Sequence, residues 1–315
     1  MFDSNLTTIV ETLITAAELC REVRCKSKHN DSMTKRDESP VTIADYGSQA
    51  IICQMLKEKY PNDPVVAEED AFTLSSPDMS EQLGQVTAYV ATALPSLNVT
   101  EEKLIQWINH GNGKPCKRFW TLDPIDGTKG FVRGDQYALC LALIEDGIVQ
   151  LGLIACPALV INGSTGHLFI AKRGQGSYRQ SLNREIPTER IYVNQECQSF
   201  VQSYEASHGN HSTQESVAKE LGIENRINMD SQAKYCMVAN GLAALYLRLS
   251  NYSENIWDHA AGALLVEEAG GKITDRDGKD LIYTSSKMNE NNGVVVSNGF
   301  IHSKILSILK GRTSK

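Results

Sequence analysis

The chain has 315 residues, 41% of them apolar and 22% charged, which suits a folded globular protein of about two domains and excludes a disordered one. Its formal net charge of −7 opposes binding to nucleic acid or to an anionic membrane, so an anionic ligand would need local cations or a metal. The eight cysteines are scattered without a Cys-x-x-Cys, which predicts reduced core thiols in a cytoplasmic protein rather than a disulfide framework.

The first twenty residues have no basic leader and are interrupted by Glu11 and Glu18, so they do not read as a signal peptide. No run approaches the ~20 apolar residues of a membrane span. Leu6, Ile9, Val10, Leu13, Ile14 and Ala17 recur at helical spacing and predict an amphipathic first helix. The polar stretch from Lys26 to Pro40 reads as a surface loop, and its place just before Asp45 suggests a lid. "VTIADYGSQAIICQMLKEKYP" predicts an extended entry into a second helix that buries Ile51, Ile52, Met55 and Leu56, with Asp45 near its start. "DPVVAEED" predicts a short buried strand ending in Glu68, Glu69 and Asp70. Residues 71 to 117 give one clear signal, a helix from the N-cap Thr100 to about His110.

From Arg118 onward strands dominate. "YALCLALIEDGIVQLGLIAC" predicts a hairpin about Glu-Asp-Gly, and "GHLFIAKRGQGSYR" a second one about a glycine-rich turn. Gly174 and Gly176 form a Gly-x-Gly with no third glycine and no strand-to-helix setting, which argues against a dinucleotide site. "DRDGKD" at residues 275 to 280 lacks the closing acid of a calcium loop. Past residue 180, strand-like "RIYVN", "FVQSYEAS", "RINMD" and "AALYLRL" alternate with helical "QESVAKELG" and "SQAKYCMVANG". "WDHAAGALLVEEAGG" predicts a further helix with Asp258 at its N-cap. The expected class is α/β, with an α+β half over residues 1–175 and an α/β half over residues 176–315.

The chemistry concentrates in "WTLDPIDGTKGF", residues 120 to 131. Pro124 fixes its own φ and holds Asp123 extended, so Asp123, Asp126 and the carbonyl of Ile125 can face one point. Gly127 and Thr128 follow, and their backbone N–H groups suit a phosphate if a helix begins there. Hard cations such as Mg²⁺ take oxygen ligands of this kind together with a substrate phosphate. An isolated Asp-x-x-Asp-Gly is more often a plain turn. Glu68, Asp45 and Asp258 favour the metal reading, although Glu68 also suits a solvated loop and the two aspartates also suit helix caps.

"EED" after one apolar strand, "DPIDGT" after another and "WDHAAGALLVEEAGG" towards the C-terminus resemble, in this order and over nearly the whole chain, the inositol monophosphatase superfamily of Mg²⁺-dependent, lithium-sensitive phosphatases. Within it, "SPVTIADYGSQAII", "DGTKGF", "SQAKYC" and "YLRL" are similar to the 3′(2′),5′-bisphosphate nucleotidase branch. The resemblance implies a layered αβαβα sandwich and a phosphatase that takes the 3′-phosphate from 3′-phosphoadenosine 5′-phosphate, with 3′-phosphoadenylyl sulfate as a second candidate substrate. It implies that Glu68, Asp123, Asp126 and Asp258, with the carbonyl of Ile125, hold two or three Mg²⁺ ions, and that Asp45 and Thr128 activate the attacking water. Gly127, Thr128 and Asp258 are then expected at the substrate, His208 at the adenine, and Ser231, Lys234 and Arg248 near the ribose and 5′-phosphate. From the residues alone Lys234 also suits a solvated helix face and Arg248 a strand-edge ion pair. His208 and His211 have no further soft ligand at a zinc spacing. A monomer with neither nucleic acid nor membrane as partner is expected. Two alternatives stay open: a phosphatase for inositol monophosphate or an inositol polyphosphate, which would share every metal ligand, and a non-catalytic adenine nucleotide sensor, which would have no use for Asp45 and Thr128.

Overall fold

A computed structural model of the chain describes residues 4–26, 33–34, 40–204, 211–249 and 253–313. Its helices are α1 (Ser4–Lys26), α2 (Ile43–Lys59), α3 (Ser80–Ala93), α4 (Glu101–Asn109), α5 (Thr128–Arg133), α6 (His211–Glu220), α7 (Ala233–Ala239), α8 (Ala260–Glu268) and α9 (His302–Thr313). Its strands are β1 (Met33–Thr34), β2 (Pro40–Val41), β3 (Val65–Ala67), β4 (Arg118–Asp126), β5 (Ala138–Glu145), β6 (Ile148–Ile161), β7 (Ser164–Lys172), β8 (Gly176–Ser181), β9 (Glu189–Ile191), β10 (Ser199–Gln202), β11 (Asn225–Asn228), β12 (Leu245–Arg248), β13 (Lys272–Thr274) and β14 (Val294–Ser297). Most of the Lys26–Pro40 stretch lies outside the described residues; β1 and β2, which pair antiparallel, are the parts described.

Strand periodicity explains the layering. Successive side chains of a strand point to opposite faces, so a strand covered on both sides is apolar throughout. On β5, Leu139, Leu141 and Leu143 face a core shared with α1 and α2, whereas Ala138, Cys140, Ala142 and Ile144 face a second core built with α7 and α8. On β14, Val294 and Val296 join that same second core from its other side, whereas Val295 packs with Phe200, Leu245, Val217, Ile305 and Leu309 in a third core under α6 and α9. One sheet of seven strands runs β3-β4-β5-β6-β7-β8-β9, and one of five runs β11-β10-β12-β14-β13. Helices, sheet, helices, sheet and helices therefore stack as the expected αβαβα sandwich. The expected division after residue 175 falls in the turn between β7 and β8, and the first sheet runs on through β9.

The middle layer positions the site, and it depends on a close approach. A Cβ at Gly262 of α8 would lie 2.4 Å from Cγ of Tyr235 on α7. That ring has no room to swing, because its hydroxyl is 2.6 Å from Nδ1 of His259 and its edge packs on Tyr246 at 5.3 Å. Alanine is ordinarily worth about 1 kcal/mol over glycine inside a helix, but an overpacked contact costs about 1–3 kcal/mol. Gly262→Ala is expected to lower stability in urea unfolding by about 1 kcal/mol, and a stabilising result would show that α7 and α8 yield.

Elsewhere the elements differ from expectation where the local signal is weak. α3 buries only Val86 and Val90, too narrow a stripe to stand out in its sequence. Cys20, Cys53, Cys140, Cys156 and Cys236 are buried as expected of core thiols, but Cys25 and Cys116 are exposed. No helix among the described residues is long and apolar enough to cross a membrane.

Candidate metal and phosphate site

In a regular strand, residues three apart point to opposite faces, so Asp123 and Asp126 would diverge. A bulge in β4 prevents this. Asp123 pairs with Cys140 and Asp126 with Ala138, so two residues of β4, Pro124 and Ile125, oppose one of β5. The extra residue brings both carboxylates to one side, and one oxygen each from Asp123, Asp126 and Asp258 lies within 4.8 Å of the others. Glu68, the residue after the neighbouring strand β3, lies close enough to act on the Asp123 carboxyl.

Asp258 comes from the opposite half of the chain, and its setting corrects the sequence reading. It does not cap α8, whose N-cap is His259. It closes a 3₁₀ turn, Ile256–Asp258, where Oδ2 accepts the backbone N–H of Asn255 at 3.4 Å. A tight turn two residues before the helix aims this carboxylate at Asp123 and Asp126.

The electrostatics bear on what the cluster could hold. Burial pushes the Asp123 carboxyl well up, and Glu68, Asp126 and Asp258 push it further. Burial also raises Asp126 and Asp258 to about 6 each, against the lowering pull of Lys234 and Arg248 on the former and of Arg248 and His259 on the latter. Asp123 Oδ1 is buried with no hydrogen-bond partner. An all-oxygen set that is buried, mutually repelling and orphaned at one atom fits a hard divalent cation. Glu254, Asp258 and His259 lie equally close together, yet the Arg248 guanidinium is 2.8 Å from Glu254 and Tyr235 occupies His259 Nδ1. Burial would raise Glu254, but His259 and Arg248 outweigh it and hold this carboxyl well below the usual range. That second group already has its cation and reads as scaffolding behind Asp258.

Asp45 divides its oxygens between two tasks. Oδ2 accepts the backbone N–H of Thr42 at 2.8 Å and the Thr42 hydroxyl at 2.5 Å, a capping box at the start of α2. Oδ1 lies 3.3 Å from Thr128 Oγ1, which is also 3.2 Å from the Ile125 carbonyl oxygen. Cap and site residue are thus one side chain, fully buried and fixed from both ends. Thr42 was absent from the sequence reading, although Thr-x-x-Asp before an apolar run is a signature of this cap.

Gly127 has φ of 88° and opens α5, a left-handed position that suits glycine. A Cβ there would meet Ser231 Cβ at 3.2 Å, so the turn carrying Thr128 lies against the segment entering α7. Ser231 itself has φ of 68° and is buried. Lys234 is not on a solvated helix face: it is 3% exposed, with Nζ 5.3 Å over the Tyr246 ring. Burial lowers its pKa to about 8 while Asp126 pulls it up. Arg248 sits on an interior strand of the five-stranded sheet, not on an edge, paired with Glu254. His208 lies outside the described residues.

The profile of the inositol monophosphatase family matches residues 3–313. The chain belongs to that family. Among curated members, the chain is 39% identical over 310 residues to "3'(2'),5'-bisphosphate nucleotidase 2" of Candida albicans, covering 87% of each chain. It is 41% identical over 308 residues to "3'(2'),5'-bisphosphate nucleotidase" of Schizosaccharomyces pombe, covering 90% of this chain and 87% of the relative. The IMPase of Thermotoga maritima shares the fold with a TM-score of 0.70 at 21% identity, over 99% of both chains.

For this member of the inositol monophosphatase family, the acidic cluster is expected to make stability depend jointly on pH and cation. Carboxyls raised in the folded state favour their protonated forms, so the metal-free protein loses stability as pH climbs from about 4, the unfolded value, through the folded value of about 6. A bound divalent cation offsets that repulsion only where the groups are ionised. Mg²⁺ should therefore raise Tm several degrees more at pH 7.5 than at pH 5; equal shifts would mean that the cluster does not hold it.

Proposed function

We propose that the chain is a 3′(2′),5′-bisphosphate nucleotidase that converts 3′-phosphoadenosine 5′-phosphate to AMP and phosphate. The observation that carries this reading is the charge layout: an acidic cluster for a cation and, acting on Asp126 from beside it, the fixed cations Lys234 and Arg248. A substrate with a single phosphate needs only the first. A second phosphate that is not hydrolysed needs permanent donors, and buried Lys and Arg provide charge-assisted hydrogen bonds. The names of the curated relatives support the same substrate class.

Glu68, Asp123, Asp126, Asp258 and the Ile125 carbonyl would hold Mg²⁺. When bound, the cation supplies charge neutralisation of the phosphoryl group and acidification of water. The chain's own part is proton handling and alignment. The Thr128 hydroxyl donates to Asp45 Oδ1, which leaves its oxygen free to accept a proton from the attacking water, and Asp45 is the carboxylate that takes up the displaced proton. Attack in line with the ester breaks the bond between phosphorus and the ribose 3′-oxygen. The turn at Gly127 and Thr128 aligns the scissile phosphate with Asp258 opposite it. Ser231, Lys234 and Arg248 hold the ribose and 5′-phosphate, and His208 the adenine.

The test is a substrate panel with Mg²⁺. Hydrolysis of 3′-phosphoadenosine 5′-phosphate should exceed that of inositol 1-phosphate and of inositol 1,4-bisphosphate by at least about a hundredfold in kcat/KM, because only the nucleotide offers both a base and a second phosphate to the proposed contacts. Activity on 3′-phosphoadenylyl sulfate should follow, since its 5′ group is also anionic. Li⁺ at millimolar concentration or below should inhibit by competing for a Mg²⁺ position. Preference for an inositol phosphate would refute the nucleotide assignment while leaving the phosphatase chemistry intact.

A further inference from the structure

We infer that Gln232 is a positioning residue that fixes the distance between Asp126 and Asp258, and through that distance the affinity of the site for its cation. The inference rests on reading the acidic cluster as a cation site. Gln232 is 1% exposed, between Ser231 and the first residue of α7. Its backbone N–H donates to Asp126 Oδ2. Its side-chain Nε2 donates to the carbonyl of Trp257, the residue before Asp258, at 2.7 Å. Its Oε1 accepts the N–H of Gly262, in the first turn of α8, at 3.1 Å. One residue therefore grips the carboxylate from β4 with its backbone and, with both ends of its side chain, the segment that presents Asp258.

The arrangement answers a physical problem. Three carboxylates within 4.8 Å of one another, one buried and two half-buried, repel, and Asp258 reaches the site on a short 3₁₀ turn tied on one side by the Asn255–Lys287 bridge and the Ile256 N–H bond to the Ser286 carbonyl. Gln232 is the anchor that ties this turn to Asp126 itself. A glutamine suits the task because its amide ties down a carbonyl and an N–H on one peptide stretch without adding charge beside the cluster. Oδ1 of Asp126 remains for a cation, since Gln232 engages Oδ2 only. Outer groups that orient metal ligands commonly change affinity by about 10–100-fold when removed.

A general loss of buried hydrogen bonds is the competing explanation, and the fold supplies its control. Gln214 is likewise buried, and its side chain likewise makes one donated bond, to the Val201 carbonyl, and one accepted bond, from the Leu247 N–H, with no site carboxylate attached. Gln232→Met and Gln214→Met remove the same groups. Both should lower Tm. Calorimetric titration of the folded proteins with Mn²⁺ should show about a tenfold weaker dissociation constant for Gln232→Met and an unchanged one for Gln214→Met. The Mg²⁺ concentration for half-maximal hydrolysis should move by the same factor in Gln232→Met, with most of kcat recovered at saturating Mg²⁺. Should Gln232→Met fail to fold, Gln232→Asn keeps the amide on a shorter arm and should give an intermediate loss of Mn²⁺ affinity. Destabilisation of Gln232→Met to the level of Gln214→Met with Mn²⁺ affinity intact, or an Asn variant that binds like the parent, would overturn the role of Gln232 alone. A parent protein that binds no Mn²⁺, or binds it equally well as Asp126→Asn, would overturn the cation reading of the cluster and this inference with it.

Discussion

Asp45→Asn should lower kcat by about three orders of magnitude while the folded protein keeps its affinity for AMP and for Mn²⁺. The asparagine oxygen can still accept the N–H of Thr42, so the start of α2 loses at most about 1 kcal/mol of capping. What changes is the contact with Thr128. An amide nitrogen at 3.3 Å from Oγ1 would donate to that oxygen, turn the threonine hydroxyl towards the Ile125 carbonyl and occupy the lone pair meant for water. Asparagine also has no basicity with which to accept a proton. Thr128→Ser, which keeps the hydroxyl, should retain most of the rate and Thr128→Ala should not. A near-normal kcat for Asp45→Asn would remove proton transfer from this pair and leave Asp45 as a helix cap.

Asp123→Asn should produce an enzyme that is more stable without metal and inactive with it. Asp123 is the carboxylate most exposed to repulsion: buried, beside Glu68, Asp126 and Asp258, with one oxygen lacking any hydrogen-bond partner. Its folded pKa stands above the unfolded value, so its ionised form weakens the fold at neutral pH and its protonated form does not. A neutral isostere relieves that penalty at pH 7.5 in the presence of a chelator and gains nothing at pH 4, where the carboxyl is already protonated. Hydrolysis should fall by at least about a thousandfold, as expected when the ligands of a catalytic ion are removed. The two effects have one cause, a site held short of its best packing so that a cation can complete it. Loss of stability at pH 7.5 in the metal-free variant would show that Asp123 is held by interactions other than those described.

Much of this site could be read from the chain because its parts are short-range. Asp123, Pro124, Asp126, Gly127 and Thr128 are contiguous, and their turn chemistry follows from residue type. The two hairpins, the cap at Thr100 and the apolar faces of α1 and α2 were likewise local. What escaped were relations between distant segments. No spacing reveals that β4 gains a residue against β5, that Lys234 is buried over Tyr246, or that Arg248 lies on an interior strand with Glu254 as its counter-ion. Asp258 was assigned to the helix because a carboxylate before an apolar run looks like a cap, whereas tertiary contacts favour a 3₁₀ turn that ends on it. Gln232 lies within "SQAKYC", yet nothing in that motif singles it out, since a glutamine in a helical stretch is ordinary until its partners are known.

The bulge in β4 also bears on which changes the chain can tolerate. Between the two aspartates, side chains can be exchanged so long as the backbone keeps its path, but a spacing of two residues works only together with the bulge. With two intervening residues, flattening the bulge into regular alternation would send one carboxylate through to the opposite surface of the sheet, where no cation could reach both. At this point the enzyme is defined less by the identity of two residues than by the bend they put into the strand.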